Sequence, residues 1–281
     1  MREAKVVAGY LTPIVSSMAV SLGFVRLIVS SGLIRSSPPN LGADAYSQAM
    51  WTLSLTLLGL IGVTFLYWLI TRGRDFELRV ILALVVAPTS AILVIIVSQT
   101  VLLVVAKAVS TLMASIVVLL SLYVAVFSVI FILSNAFSTR VRNFVFVLYG
   151  ALLGGFICLL MPTASLVVML IAVAVYDLVM LNSGWFADLI KVLSHSGRPG
   201  ARMSYVTESM EIGIGELIFY CFVPAHVEAY YGLEMLAMTL AMTGIGVLLN
   251  LWVLEKKGFI AGLPAPILLG LSPLVISFIL T

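Results

Sequence analysis

The chain has 281 residues, of which 62% are hydrophobic and only 10% charged, with a net charge of +3 and a mean hydropathy of +1.22. Soluble domains carry roughly 45–50% apolar and ~25% charged residues, so this composition excludes a water-soluble globular protein and makes the bilayer the solvent. The positive residues are scattered over short loops and form no single patch, so nucleic-acid binding has no support.

Apolar runs of the ~20 residues that a membrane-crossing helix needs recur from end to end, and in hydrocarbon every backbone group in them must be satisfied within a helix. They predict about nine helices: Val6–Ser30, Trp51–Ile70, Val80–Ala106, Val109–Ser134, Phe144–Leu160, Ser165–Leu181, Ile212–Val227, Leu233–Leu254 and Pro266–Leu280. The expected fold class is all-α: a polytopic bundle in a single membrane domain, with residues 1–160 carrying helices one to five and 161–281 helices six to nine. Arg2 and Lys5 precede an apolar run as in a signal peptide, but no small-x-small cleavage site follows and Arg26 interrupts its far end, so the first segment is expected to be retained. Ser36 to Gly42 reads as a loop, because Pro38-Pro39 cannot continue a helix. Cys158 and Cys221 fall inside apolar runs and read as small hydrophobes, not as a disulfide framework.

Loops rich in Lys and Arg stay cytoplasmic, and here the cations alternate. One side collects Arg2, Lys5, Arg72, Arg74, Arg79, Arg140, Arg142, Lys191, Arg198, Arg202, Lys256 and Lys257, which is 12 of the 15; the other has Arg35 and Lys107, with Arg26 inside a helix. An odd number of spans then puts the amino terminus in the cytoplasm and the carboxyl terminus outside it. Gly150 and Gly154 form a GxxxG in the fifth helix, and Ala237, Ala241 and Gly244 line one face of the eighth, both read as helix packing. Met235, Met238 and Met242 read as gap-fillers.

Most of the 12 acidic residues lie in loops or near helix ends. Asp177, in Val175-Tyr176-Asp177-Leu178-Val179, and Glu216, in Gly213-Ile214-Gly215-Glu216-Leu217-Ile218-Phe219-Tyr220, instead have apolar neighbours on both sides. A carboxylate at mid-helix is disfavoured by about 2.5 to 3.5 kcal/mol on insertion scales, so two of them point to function. Each lies about four residues from the cytoplasmic end of its predicted helix, roughly 6 Å in, so the two are level with each other. Antiparallel neighbours would bring both carboxyl groups to one water and let them share a proton, as like charges at close range cannot both ionise. One carboxylate would then activate the water while the other, protonated, polarises a scissile carbonyl. His195 and His226 read as loop residues that suggest no metal site, and no cofactor is expected.

Gly213 and Gly215 remove side chains beside Glu216 and weaken the helix start, which admits water and an extended substrate backbone; tight helix packing explains them equally well. A peptide bond inside a helix cannot be attacked, so the substrate must unwind and receive strand-like hydrogen bonds in exchange. Gly262-Leu263-Pro264-Ala265-Pro266 follows Lys256 and Lys257 at the same depth, where two prolines force an extended segment before the last helix. As an ordinary loop-to-helix junction it needs no function, and its interest lies in convergence with the two acids.

At these residues the sequence resembles the presenilin and signal peptide peptidase family, whose landmarks are Tyr-Asp in the sixth helix, Gly-x-Gly-Asp in the seventh and Pro-Ala-Leu at the start of the ninth. Tyr176-Asp177 matches outright. Gly213-Ile214-Gly215-Glu216 matches with Glu in place of the catalytic Asp, and Pro264-Ala265 matches with Pro266 in place of Leu. The resemblance implies an intramembrane aspartic endopeptidase with Asp177 and Glu216 as its catalytic pair, and Tyr176, Gly213, Gly215, Leu263, Pro264, Ala265 and Pro266 on the substrate side. Lys191, Arg198 and Arg202 in the loop between the catalytic helices favour the presenilin orientation, hence type I membrane substrates. The shortness of Asn182–Glu211 suggests a compact microbial homologue in the cell membrane. An extra methylene moves the carboxyl group by about 1.5 Å, and a 1 Å misplacement can lose around 10²-fold, unless the glycines let the backbone shift.

Expected partners are the lipid bilayer and the transmembrane helices of substrate proteins, with a homo-oligomer compatible with the sequence. Two other readings stand beside the peptidase: a catalytically impaired relative that binds transmembrane helices, and a channel or transporter that uses the acids for cations or protons.

Overall fold

The computed structural model describes residues 2–34, 38, 45–107, 110–134, 137–182, 204–207, 211–257 and 261–280. Among these, nine helices follow in chain order: α1 (Arg2–Ser30), α2 (Ala45–Thr71), α3 (Asp75–Ala106), α4 (Thr111–Leu133), α5 (Thr139–Leu160), α6 (Thr163–Asn182), α7 (Ile214–Tyr230), α8 (Leu233–Lys257) and α9 (Pro264–Leu280). The expected helical membrane bundle is thus present. Between α6 and α7 lies a hairpin that hydropathy does not register, β1 (Ser204–Val206) antiparallel to β2 (Glu211–Gly213), with Tyr205 opposite Ile212. Most of the loop between α6 and α7, with Lys191, His195, Arg198 and Arg202, lies outside the described residues, as does most of Ser36–Gly42.

Helices α1 to α6 and α8 are long and apolar enough to cross a membrane, while α7 and α9 have 17 residues each. Several helices begin about a turn and a half before their apolar runs, because a polar first turn is as helical as an apolar one but leaves no hydropathy signal. The first turn of α3 shows this: Arg74, its N-cap, pairs with Glu77 at 2.8 Å.

The short helix α7 sits in the middle of the bundle, packed by α1, α5, α8 and α9. Its residues from Tyr220 to Val227 are buried without interruption, as expected of a helix that is apolar all round and meets no solvent on any face. Gly150 and Gly154 of α5 face it: a Cβ on Gly154 would stand 2.6 Å from the Ile218 carbonyl oxygen, and one on Gly150 would stand 3.2 Å from the Leu217 Cβ. Next to them, Gly155 brings α5 against α1, where a Cβ would lie 2.7 Å from the Ser21 Oγ. The GxxxG is a packing motif, as its spacing implies. In contrast, α4 packs chiefly on α3, and α2 chiefly on α6. Both free cysteines are buried.

The small-residue face expected on α8 is not its contact face. Ala237 and Ala241 are exposed and Gly244 meets nothing within 4 Å. Packing uses Thr239, Thr243, Gly246, Val247 and Asn250, which are buried at helical spacing; a Cβ on Gly246 would stand 2.5 Å from the Pro266 Cα. The Thr239 and Thr243 hydroxyls are buried in that contact without a hydrogen-bond partner among the described residues, so residue size alone misidentified the face.

His226 is not a loop residue. It is fully buried in α7, with Nδ1 2.9 Å from the Cys158 carbonyl oxygen and Nε2 2.9 Å from the Thr163 hydroxyl, which in turn is 2.8 Å from the Tyr231 hydroxyl. A carbonyl only accepts, so Nδ1 donates and the neutral ring can accept from Thr163 at Nε2. This chain of bonds ties α5, α6 and α7 at the end of α7 remote from Glu216. Nearby, Arg26 of α1 pairs with Glu228 at 3.2 Å, which gives the cation inside the first helix its partner.

Gly154→Ala should lower the thermal unfolding midpoint in detergent by roughly 3 to 8 °C, because the added methyl meets a helix backbone that cannot rotate away. Gly244→Ala, with open space around it, should leave the midpoint unchanged or raise it slightly.

Candidate active site

Two helix ends and one irregular strap build the site. α6 brings Tyr176 and Asp177 to its inner face about a turn and a half before it stops, while Val175, Leu178 and Val179 turn outward. Glu216 is the third residue of α7, whose N-cap is Gly213 in extended geometry. A glutamate at that position can reach back toward the N-cap, and Glu216 Oε1 would lie 3.9 Å from a Cβ on Gly213. The unpaired amides of a helix start also favour a negative group there. The sequence expected Ile212 to open this helix. It instead lies in β2, fully buried, because the following Gly213 and a hairpin partner, Tyr205, make the extended form available.

The strap is Ala261–Leu263, between α8 and α9. The Leu263 N–H donates to Asp177 Oδ2 at 3.0 Å, and the Gly262 carbonyl accepts from the Tyr220 hydroxyl at 2.8 Å and from the Asn250 amide. Tyr220 also stands 3.4 Å from Glu216 Oε2. The Glu216 carboxyl lies directly over Gly262, where a Cβ would meet Oε2 at 2.5 Å. Adjacent residues of one strap therefore contact both acids.

α9 begins at Pro264, not Pro266. The Leu263 carbonyl accepts the Ile267 N–H, so both prolines occupy the first turn, whose amides have no intrahelical acceptor in any helix. The extended segment inferred from the two prolines is consequently confined to residues before them.

A cavity of about 600 Å³ collects most of the residues singled out in the sequence: Tyr176, Asp177, Gly213, Gly215, Glu216 and Leu263 all line it. Its remaining wall is mainly α2, through Leu55, Thr56, Gly59, Leu60 and Val63. Pro264, Ala265 and Pro266 do not line it; the Ala265–Pro266 backbone packs on Gly246 instead. Two hydrogen bonds hold α2 to α6 beside the cavity, Thr52 to Ser165 at 2.6 Å and Thr64 to Tyr176 at 3.1 Å.

Gly262, Tyr220, Asn250 and Thr64 were not singled out in the sequence. Tyr220 was legible, since it follows Glu216 by four residues and so shares its face. Asn250, a lone amide in an apolar helix, carried a signal of the same kind as the acids. Gly262 and Thr64 carried none without the fold. The hairpin is fixed by Asn143 of α5, whose amide bonds both the N–H of Val206 at 3.0 Å and its carbonyl at 2.7 Å, as a neighbouring strand would.

No protein-family model matches the chain, and no curated protein does. A solved structure does: that of a presenilin-family intramembrane aspartate protease aligns with a TM-score of 0.61 at 16% identity, over 98% of this chain and 99% of that one. The likeness establishes a presenilin-type fold.

Asp177→Asn keeps an acceptor for the Leu263 amide, whereas Asp177→Ala leaves that amide unpaired, a loss of about 1–3 kcal/mol. In detergent, the alanine variant should therefore melt several degrees below the asparagine variant, although both lack the acid.

Proposed function

We propose that the chain is an intramembrane aspartic endopeptidase that hydrolyses peptide bonds within transmembrane helices, with Asp177 and Glu216 as its catalytic pair. The observation that carries this reading is that the two carboxyl groups, from consecutive helices, line one cavity and touch adjacent residues of one strap. Carboxyl groups so placed can hold one proton and one water between them. The ionised member removes a proton from the water as its oxygen attacks the scissile carbonyl carbon, and the protonated member donates to the carbonyl oxygen. Collapse of the resulting diol breaks the C–N bond, and the proton taken from water passes to the departing amine.

The surroundings suit a helical substrate. The cavity is mostly apolar and walled by α2, which is attached chiefly to α6, so a substrate helix would approach beside α2. Unwinding it exposes backbone groups that need partners in a low-dielectric space. The hairpin runs through β2 and Gly213 directly into Glu216, which places strand-forming backbone beside the acids, and an unwound substrate segment could pair there by β-augmentation. The alternation of cations favours a cytosolic α6–α7 loop, and the resemblance to presenilins then implies type I membrane proteins as the substrate class.

Purified protein in liposomes with a type I transmembrane reporter should yield two fragments whose masses place the cut inside the reporter's span. Asp177→Asn and Glu216→Gln should each reduce the rate by at least ~10²-fold. A folded parent that leaves every such reporter intact would sink the peptidase reading in favour of a relative that only binds helices.

A further inference from the structure

The close approach of Glu216 to Gly262 is not explained by either residue alone. A Cβ built on Gly262 would stand 2.5 Å from Glu216 Oε2, 2.6 Å from Cδ and 2.9 Å from Oε1, so the whole carboxyl group occupies the space that any other residue's side chain would enter. The Gly262 backbone lies outside the left-handed region, so nothing in its own conformation demands glycine. Only the neighbouring carboxyl does.

Neither party has an easy way to give. The Gly262 carbonyl is held by Tyr220 and Asn250, and the next amide is held by Asp177, so the strap is fixed on both sides of its Cα. Glu216 is bounded by Gly213 behind it and the Tyr220 hydroxyl beside it, with Asp177 across the cavity. A carboxyl group one methylene shorter would withdraw by about 1.5 Å and vacate the room that a methyl group needs.

We infer that Gly262 is a positioning residue that sets the acid length at position 216: the missing side chain admits a glutamate carboxyl to a place that an aspartate would reach only in part. Substitution of the acid and of the glycine are then coupled, and the longer acid is a matched component of this site. The catalytic half of the inference rests on the peptidase reading above; the steric half does not.

A double-mutant cycle separates the two. Parent, Gly262→Ala, Glu216→Asp and the combined variant are compared by thermal unfolding in detergent and by kcat and KM on the transmembrane reporter. Gly262→Ala alone should lower the unfolding midpoint by about 5 °C and kcat by roughly 10²-fold, with KM little changed. In the Glu216→Asp background the same alanine should shift the midpoint by no more than about 1 °C and leave kcat within a factor of about 3 of Glu216→Asp alone. Gly262→Ala combined with Glu216→Gln, which keeps length and removes charge, should be as damaging to stability as in the parent. If Gly262→Ala does not fold, recovery of folded protein on adding Glu216→Asp is the expected result. An alanine effect of equal size with and without Glu216→Asp, or none in either, overturns the inference. So does an unharmed Gly262→Ala in the Glu216→Gln background. The unfolding data are read whether or not any variant cleaves, so absence of cleavage throughout counts against the peptidase and not against the steric coupling.

Discussion

Two carboxyl groups and a stretch of non-helical backbone in the core of an apolar bundle are each unfavourable alone, and the structure places them against one another. The Gly262 carbonyl and the Leu263 amide have no helical partner, which in hydrocarbon is tolerated only where protein groups or a watered cavity supply partners. Asp177 accepts the Leu263 amide, and Tyr220 and Asn250 donate to the Gly262 carbonyl. The strap in turn gives one acid a donor and the other a wall. Removing either side strands the other, because a buried polar group without a partner loses about 1–3 kcal/mol.

This arrangement accounts for the odd dimensions of α7. At 17 residues it spans about 26 Å, short of the ~30 Å hydrocarbon thickness. Its missing turn is replaced by β2, so its first residues stand inside the bundle with Glu216 at the start of the helix. The cost of this inset start is met by surrounding helices: Gly150 and Gly154 let α5 approach to backbone contact, and Gly246 does the same for the strap's continuation into α9. The glycines of α5 and α8 therefore serve one purpose, close backbone packing around α7 and the strap.

The helix plan was legible because the bilayer allows few solutions: a long apolar run must be a helix, and each of the nine runs is a helix among the described residues. The two acids stood out for the same reason, since each breaks a run that otherwise has no charge. The features that escaped were those whose signal is tertiary. The hairpin has only three residues per strand and depends on Asn143, distant in sequence. His226 read as a loop residue because it lies near a helix end, while its burial comes from carbonyl and hydroxyl partners on α5 and α6. Ala237 and Ala241 looked like a packing face by size, but the face that packs is threonine, glycine and asparagine. Gly262 showed no anomaly at all, since its meaning depends on the side chain that folds over it.

The unequal packing of the bundle has its own logic. α1, α5, α7, α8 and α9 enclose the acids from behind, with buried hydrogen-bond chains such as Cys158–His226–Thr163–Tyr231 at the opposite end of α7 to hold them in register. The front of the cavity is α2, which leans on α6 and presents much of its surface outward. On the proposed function, cleavage of another helix, both properties are needed at once. Fixed carboxyl groups require a frame that does not yield, since an error of 1 Å at the reacting atoms can lose ~10² in rate. Admission of a second helix, with a diameter of about 10 Å, requires a wall that does. Thr64, which bonds the hydroxyl of Tyr176 immediately before Asp177, sits where those two demands meet.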